Sequence, residues 1–317
     1  MANGNIKCQS EYYSDPTTYP GSPGTSTNKA VIEDVFDLVA WPNIIDRDSR
    51  YDHHRNYGVL INDINFNDHP TYKYGVSGYM LSLSFRGWYG QLDGDGHSIC
   101  NMIVRGCSDY IVGGYSSGVI NNVKFKNTIA INQSVGIFTV STFTNCDFAI
   151  FCSNSNPGHL INGTFTNCTF LLKGLCPSYV LRFVNGGSFT RCQFNLDMTN
   201  TSSGYDPGFQ VGGADKNTRV NFTDCAIVGS TKFTTASSLN VFLTGINMSN
   251  SYIALTVPNR INYIGNNSDG VYANSCCFID KDLLSNTPQS FPPNFYAITT
   301  EQAQSATYLN SIGFITV

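Results

Sequence analysis

The chain has 317 residues, a formal net charge of −4 and only 13% charged residues, well below the usual quarter. It contains 34 Asn, 29 Gly and 11 Cys. Such a composition argues against a charged disordered tail and, with no basic block, against nucleic acid as a partner. No apolar run approaches a membrane span.

Residues 1–28 are rich in Gly, Pro, Ser, Thr and Tyr and read as an extended arm ordered against a partner. The opening Met1-Ala-Asn-Gly-Asn-Ile-Lys7 lacks the apolar core of a secretory signal. The expectation is therefore synthesis in a reducing host cytoplasm. Residues 29–41 carry Val31, Ile32, Val35, Phe36, Leu38 and Val39 at helical spacing and stop at Pro42. A helix there would cap an open sheet end. His53-His54 with His69 is a conceivable metal group, but further ligands at metal spacing are missing, and a polar loop is the better reading.

Residues 58–85 read as strands. Asp63-Ile-Asn-Phe66 is followed by Trp88-Tyr-Gly-Gln-Leu92-Asp93-Gly94-Asp95-Gly96-His97-Ser-Ile99-Cys-Asn101-Met102. The Asp93–His97 stretch opens like a calcium loop, yet position twelve is Val104 where a bidentate Glu belongs. A tight turn with positive φ at Gly94 and Gly96 is the expectation, with no metal. This pattern resembles the first coils of pectin-lyase-like, right-handed parallel β-helix proteins with GLUG-type repeats, found in phage-associated and bacterial surface proteins. The resemblance spans roughly residues 58–314 and implies fold more than activity.

Six-residue echoes then run through the middle of the chain: Phe143-Thr-Asn145-Cys146-Asp-Phe148, Phe165-Thr-Asn167-Cys168-Thr-Phe170, Phe189-Thr-Arg191-Cys192-Gln-Phe194 and Phe222-Thr-Asp224-Cys225-Ala-Ile227. Weaker copies are placed at Phe125–Ile129, with Asn127 and Thr128, at Met248–Ile253, with Asn250 and Ser251, and at Cys276-Cys277-Phe278. A period near 25 residues marks a solenoid. Cys146 and Phe148 are two apart and share a strand face, whereas Phe143 is three from Cys146. A bend at Asn145 restores the parity, because Asn tolerates left-handed backbone. The same role is assigned to Asn127, Asn167 and Asn250. Phe143, Cys146, Phe148 and their counterparts Phe165, Cys168, Phe170, Phe189, Cys192, Phe194, Phe222, Cys225 and Ile227 are then interior ladders. Cysteines in such ladders are small free hydrophobes, not a disulfide scaffold.

Thr299 and Gln302 have capping-box spacing ahead of a short C-terminal helix. The reading is an all-β chain: arm and capping helix at 1–54, one right-handed parallel β-helix at 55–280, docking tail at 281–317. About nine coils would give an axis on the order of 40 Å.

Asp147, Asp197, Asp215 and Asp224 are scattered, and the paired carboxyls of glycoside hydrolysis are not evident. Lys173, Arg182 and Lys216 carry no lyase pattern. No catalytic residue or cofactor is assigned. The expected role is a structural or adhesive virion component, attached through arm or tail, with a host-surface glycan or protein as a further partner. A homotrimer is an assembly compatible with the resemblance. The alternatives are a tail-spike hydrolase or lyase with carboxylates gathered across coils, and a bacterial surface adhesin.

Overall fold

The computed structural model describes residues 29–38, 57–69, 83–85, 91–105, 112–114, 119–131, 138–139, 142–153, 159–161, 163–176, 181–184, 187–200, 211–213, 219–233, 241–244, 246–256, 263–264, 271–284 and 291–315. The chain is a nearly all-β parallel solenoid with few helical residues. It divides into two compact units, Met1–Ile150 and Phe151–Val317.

In the first unit, one sheet stacks Ala30–Ile32, Tyr57–Leu60, Gln91–Asp93, Val119–Asn121 and Thr142–Thr144, all parallel. A second stacks Ile64–Asn65, Ser98–Cys100 and Lys124–Ile131, and a third stacks Leu83–Phe85, Val112–Gly114 and Phe138–Thr139. The second unit repeats the plan. Its first sheet runs through Thr164–Thr166, Gly187–Thr190, Val220–Thr223, Ile246–Ser249 and Val271–Ala273. Its second runs through Thr169–Cys176, Gln193–Asn200, Ala226–Phe233, Tyr252–Thr256, Cys277–Asp280 and Phe295–Ile298. The third holds His159–Ile161, Leu181–Val184, Val211–Gly213, Val241–Thr244 and Tyr263–Ile264.

The turn from first to second sheet is made by one left-handed residue: Asn122, Asn145, Asn167, Arg191, Asp224 and Asn250 all lie at φ between 46° and 55°. Each puts the next residue inside, so Cys146, Cys168, Cys192 and Cys225 are buried. The thiols of these four donate to the carbonyl two residues back, at 3.2–3.4 Å (Thr144, Thr166, Thr190 and Thr223). Ser251 does the same with its hydroxyl, donating to Ser249 O at 2.8 Å. The column position takes a small side chain, and in these five copies one that donates to the carbonyl two residues back, which Ser does as well as Cys.

Phenylalanines fill the interior of the second unit. Phe165 stacks on Phe189 at 4.7 Å and Phe170 on Phe194 at 4.6 Å, and the two columns meet edge to face, as at Phe189–Phe194, 5.3 Å and 65°. Phe222 continues the first column at 5.2 Å from Phe189, with Ile227 buried beside it. In the first unit Phe125 stacks on Phe148 at 5.2 Å and Phe143 meets Phe148 edge-on.

Several expectations are corrected. Residues 30–32 form a strand, not the first turn of a helix, because Val31 and Ile32 bury themselves by pairing with Val59 and Leu60. Helical backbone begins only at Val35, where Asp34 Oδ1 accepts the N–H groups of Phe36 and Asp37. Residues 39–41 of the expected helix lie outside the described residues, as do the arm and His53-His54.

The copy at Phe125 is shifted by five residues. Ile120 pairs with Phe143 and Asp147 N–H donates to Val123 O, so Val123, not Thr128, occupies the Cys146 position. Asn127 is left-handed at φ 52°, but its amide donates to Asn101 Oδ1, in a separate Asn column that continues to Asn65. Tyr252 pairs with Phe278, so Cys277 rather than Cys276 takes the interior column.

At the Asp93 turn, Gly96 has φ +80° and Asp95 φ 47°; Gly94 is not left-handed. Gly94 is needed because a Cβ there would lie 2.3 Å from Asn122 O.

Candidate functional site

Polar columns on the outside of the bends lead to the charged positions. In the first unit Asn145 Nδ2 donates to Asn122 Oδ1 at 3.1 Å, and Asn122 Nδ2 donates to Asp93 Oδ1 at 3.2 Å. Asp93 also accepts the Asp95 N–H at 3.1 Å and lies 3.4 Å from the Lys29 ammonium. Partial burial works against the carboxylate, but these donors together outweigh it and hold Asp93 below the usual carboxylate range. Asp63 accepts the Ser98 N–H at 2.7 Å, with His97 at 3.4 Å, and that amide first, then His97, holds it low as well.

In the second unit the bend column carries charge. Arg191 Nε donates to Asn167 Oδ1 at 2.7 Å, and Asn250 Nδ2 donates to Asp224 Oδ1 at 2.7 Å. Asn250 also clamps the C-terminal segment, accepting from Ile315 N and donating to Ile315 O at 2.8 and 2.9 Å. That segment arrives by a built path. Thr299 and Gln302 form a complete capping box at Thr300–Ala303, Ser305 caps Ala306–Ser311, and Asp280 accepts the Thr300 hydroxyl at 2.8 Å. Cys276, Phe278, Ile298, Leu309 and Phe314 then bury one another on the outer face of the second sheet. Cys276 thus faces away from Cys277, and its outward side is covered by the tail. Burial pushes the Cys277 thiol up to about 12. Sulfur contacts from Cys168 and Cys225, then burial, push the Cys192 thiol far up. These are packing thiols with little thiolate at neutral pH.

Beside the docked tail lies a cavity of about 490 Å³. Arg191, Gln193, Asp224 and Tyr252 face it from the solenoid, and Leu309 and Phe314 close it from the tail. Tyr252 stacks on Phe278 at 5.2 Å and 9°, and Phe314 meets both rings edge-on. The residue paired with Tyr252 one coil earlier is the small Ala226.

Among the candidates weighed in the sequence, Asp147 and Asp197 are exposed, and Asp197 lies 3.9 Å from the Lys173 ammonium. Asp215 and Lys216 lie outside the described residues. His69 packs against Phe36 with ring centroids 4.8 Å apart and planes tilted by 37°, and burial lowers its pKa. Sequence reasoning missed the groove, although a signal existed: Arg191 and Asp224 are the departures from Asn at the bend in the four clear echoes, and both border it.

No family model matches the chain, and no curated protein matches it. Among solved structures, it is similar to a Bacteroides ovatus protein provisionally described as an immunoglobulin A1 protease, at 18% identity and a TM-score of 0.47, covering 80% of this chain and 86% of that one. This likeness carries no argument about activity.

Proposed function

We propose that this chain is a non-enzymatic structural and adhesive component of a virus particle, of the phage-associated kind, with the solenoid as rigid spacer or receptor-facing surface. What supports the reading is the work its carboxylates do. Asp34, Asp63, Asp93, Asp280 and Asp282 each accept backbone N–H groups at turns and caps, and Asp224 holds the bend column. Carboxylates spent on closing coils stabilise a stacked backbone and are not poised as an acid–base pair. The tail adds a second support: a segment clamped along the last coils covers apolar side chains on the outer face of the second sheet. Other particle proteins would engage the N-terminal arm or the tail.

The test is mass spectrometry of gradient-purified particles from the host that expresses this chain. A constant ratio to the major coat protein across the particle peak is expected. Recovery only in the soluble lysate or the host envelope fraction would overturn the virion role.

A further inference from the structure

We propose that the groove beside the C-terminal tail is a binding site for an uncharged saccharide, gripped between Tyr252 on one side and the Arg191–Asp224 pair on the other. This inference deepens the adhesive half of the function above and rests on it.

The aromatic half of the site comes from register. Outward side chains of the second sheet stack along the axis, and Tyr252 stacks on Phe278 at 5.2 Å. The residue paired with Tyr252 one coil earlier is Ala226, and both border the cavity. A flat, half-buried phenol ring offers an apolar face with a polar rim. That suits the C–H face of a sugar ring flanked by hydroxyls.

The polar half comes from the bends. Arg191 and Asp224 are consecutive in the column, yet among the described residues they form no ion pair with each other or with any other group. Arg191 Nε is engaged by Asn167 and Asp224 Oδ1 by Asn250. Both side chains border the cavity. Opposite charges that do not neutralise each other favour a ligand that both donates and accepts without carrying net charge. Vicinal hydroxyls do this. Gln193 adds an amide of the same dual character.

The backbone argues against a peptide. Gln193–Asn200, Ala226–Phe233 and Tyr252–Thr256 are each paired on both sides, so an extended chain finds no open edge to extend. A mostly apolar hollow with a few convergent polar groups is the usual form of a small-ligand site.

The experiment is saturation-transfer-difference NMR on the full chain with glucose, galactose, N-acetylglucosamine, maltose and lactose at millimolar concentration. At least one is expected to receive transfer. Ala226→Phe should continue the stack above Tyr252, keep or raise the melting temperature, and weaken binding by roughly tenfold or more. Asp224→Asn keeps an acceptor for Asn250 and a left-handed-tolerant bend, and should weaken binding severalfold. It serves as the test if Ala226→Phe does not fold. Transfer that survives both variants, no transfer with any of the five sugars, or a native mass showing the groove filled by a second copy would overturn the proposal. Sugar binding by a chain absent from particles sinks only the virion role. A particle-borne chain that shows no transfer sinks only this site.

Discussion

The two units solve one geometric problem with different chemistry. Both turn from first to second sheet through a residue at φ near 50° followed by a small buried one. In the first unit the bend residues are Asn122 and Asn145, and the paired interior column is aliphatic above Phe143, with Leu92 and Ile120. Its polar column ends on Asp93 and Lys29 and is closed. In the second unit the interior is a double phenylalanine stack, and Arg191 and Asp224 stand at the bends. The lesson is that bend angle and column size set the coil, while the outward half of the bend is free to vary. Where it varies to charge, at Arg191 and Asp224, it borders the cavity beside the tail.

The difference in cores can be broken first. Phe189 is fully buried and touches Phe165, Phe170, Phe194 and Phe222. Phe189→Ala should cost about 3–5 kcal/mol, read as a lower urea midpoint. A loss below about 1 kcal/mol would mean the aromatic stack adds nothing that collapse cannot replace.

A pH titration probes the first unit next. Burial first, and then the neighbouring Asp34 and Glu33 charges, raise Asp37 in the first unit to about 6 despite its two backbone hydrogen bonds. Among the described residues, one of its oxygens is buried without a partner. The unfolded carboxyl ionises near 3.8, so the folded state binds its proton more tightly. This contribution is present at acid pH and is lost as pH rises from about 4 through 6. Asp63, held low, acts oppositely: its contribution is present at neutral pH and lost as pH falls below 3.8. Asp37→Asn should flatten the fall of the melting temperature between pH 4 and 6.5. An unchanged profile would remove Asp37 as its source.

The smallest effects sharpen the bends. Asn145→Val forces a β-branched residue to φ 53° and should cost about 1–3 kcal/mol. Arg191→Asn makes the second unit resemble the first and keeps a donor for Asn167 Oδ1. Its urea midpoint should stay level or rise by less than about 1 kcal/mol equivalent, because Asn tolerates this backbone better than Arg. A clear loss would show that Arg191 has a stabilising role beyond its bend.

How much was legible depends on how local each feature is. The Phe-Thr-Asn-Cys-x-Phe echo carries its own parity argument, and its side chains do lie inside. Where the echo decays, position slips: Phe125 belongs to the second column, so counting three residues on from it reaches Thr128 and not Val123. Val31 and Ile32 show the same limit, since apolar spacing does not reveal whether a strand partner waits 28 residues away.

The sequence by itself determined the repeat, the inward set and the left-handed Asn corners, because a bend and a two-residue period are properties of neighbouring residues. Only the tertiary structure decided which copies sit in register, that Gly94 is required by the close approach of Asn122, and that Arg191, Asp224 and Tyr252 share one hollow with the tail. Those facts depend on which side chains lie one coil apart, a distance set by loop lengths between echoes rather than by the echoes themselves.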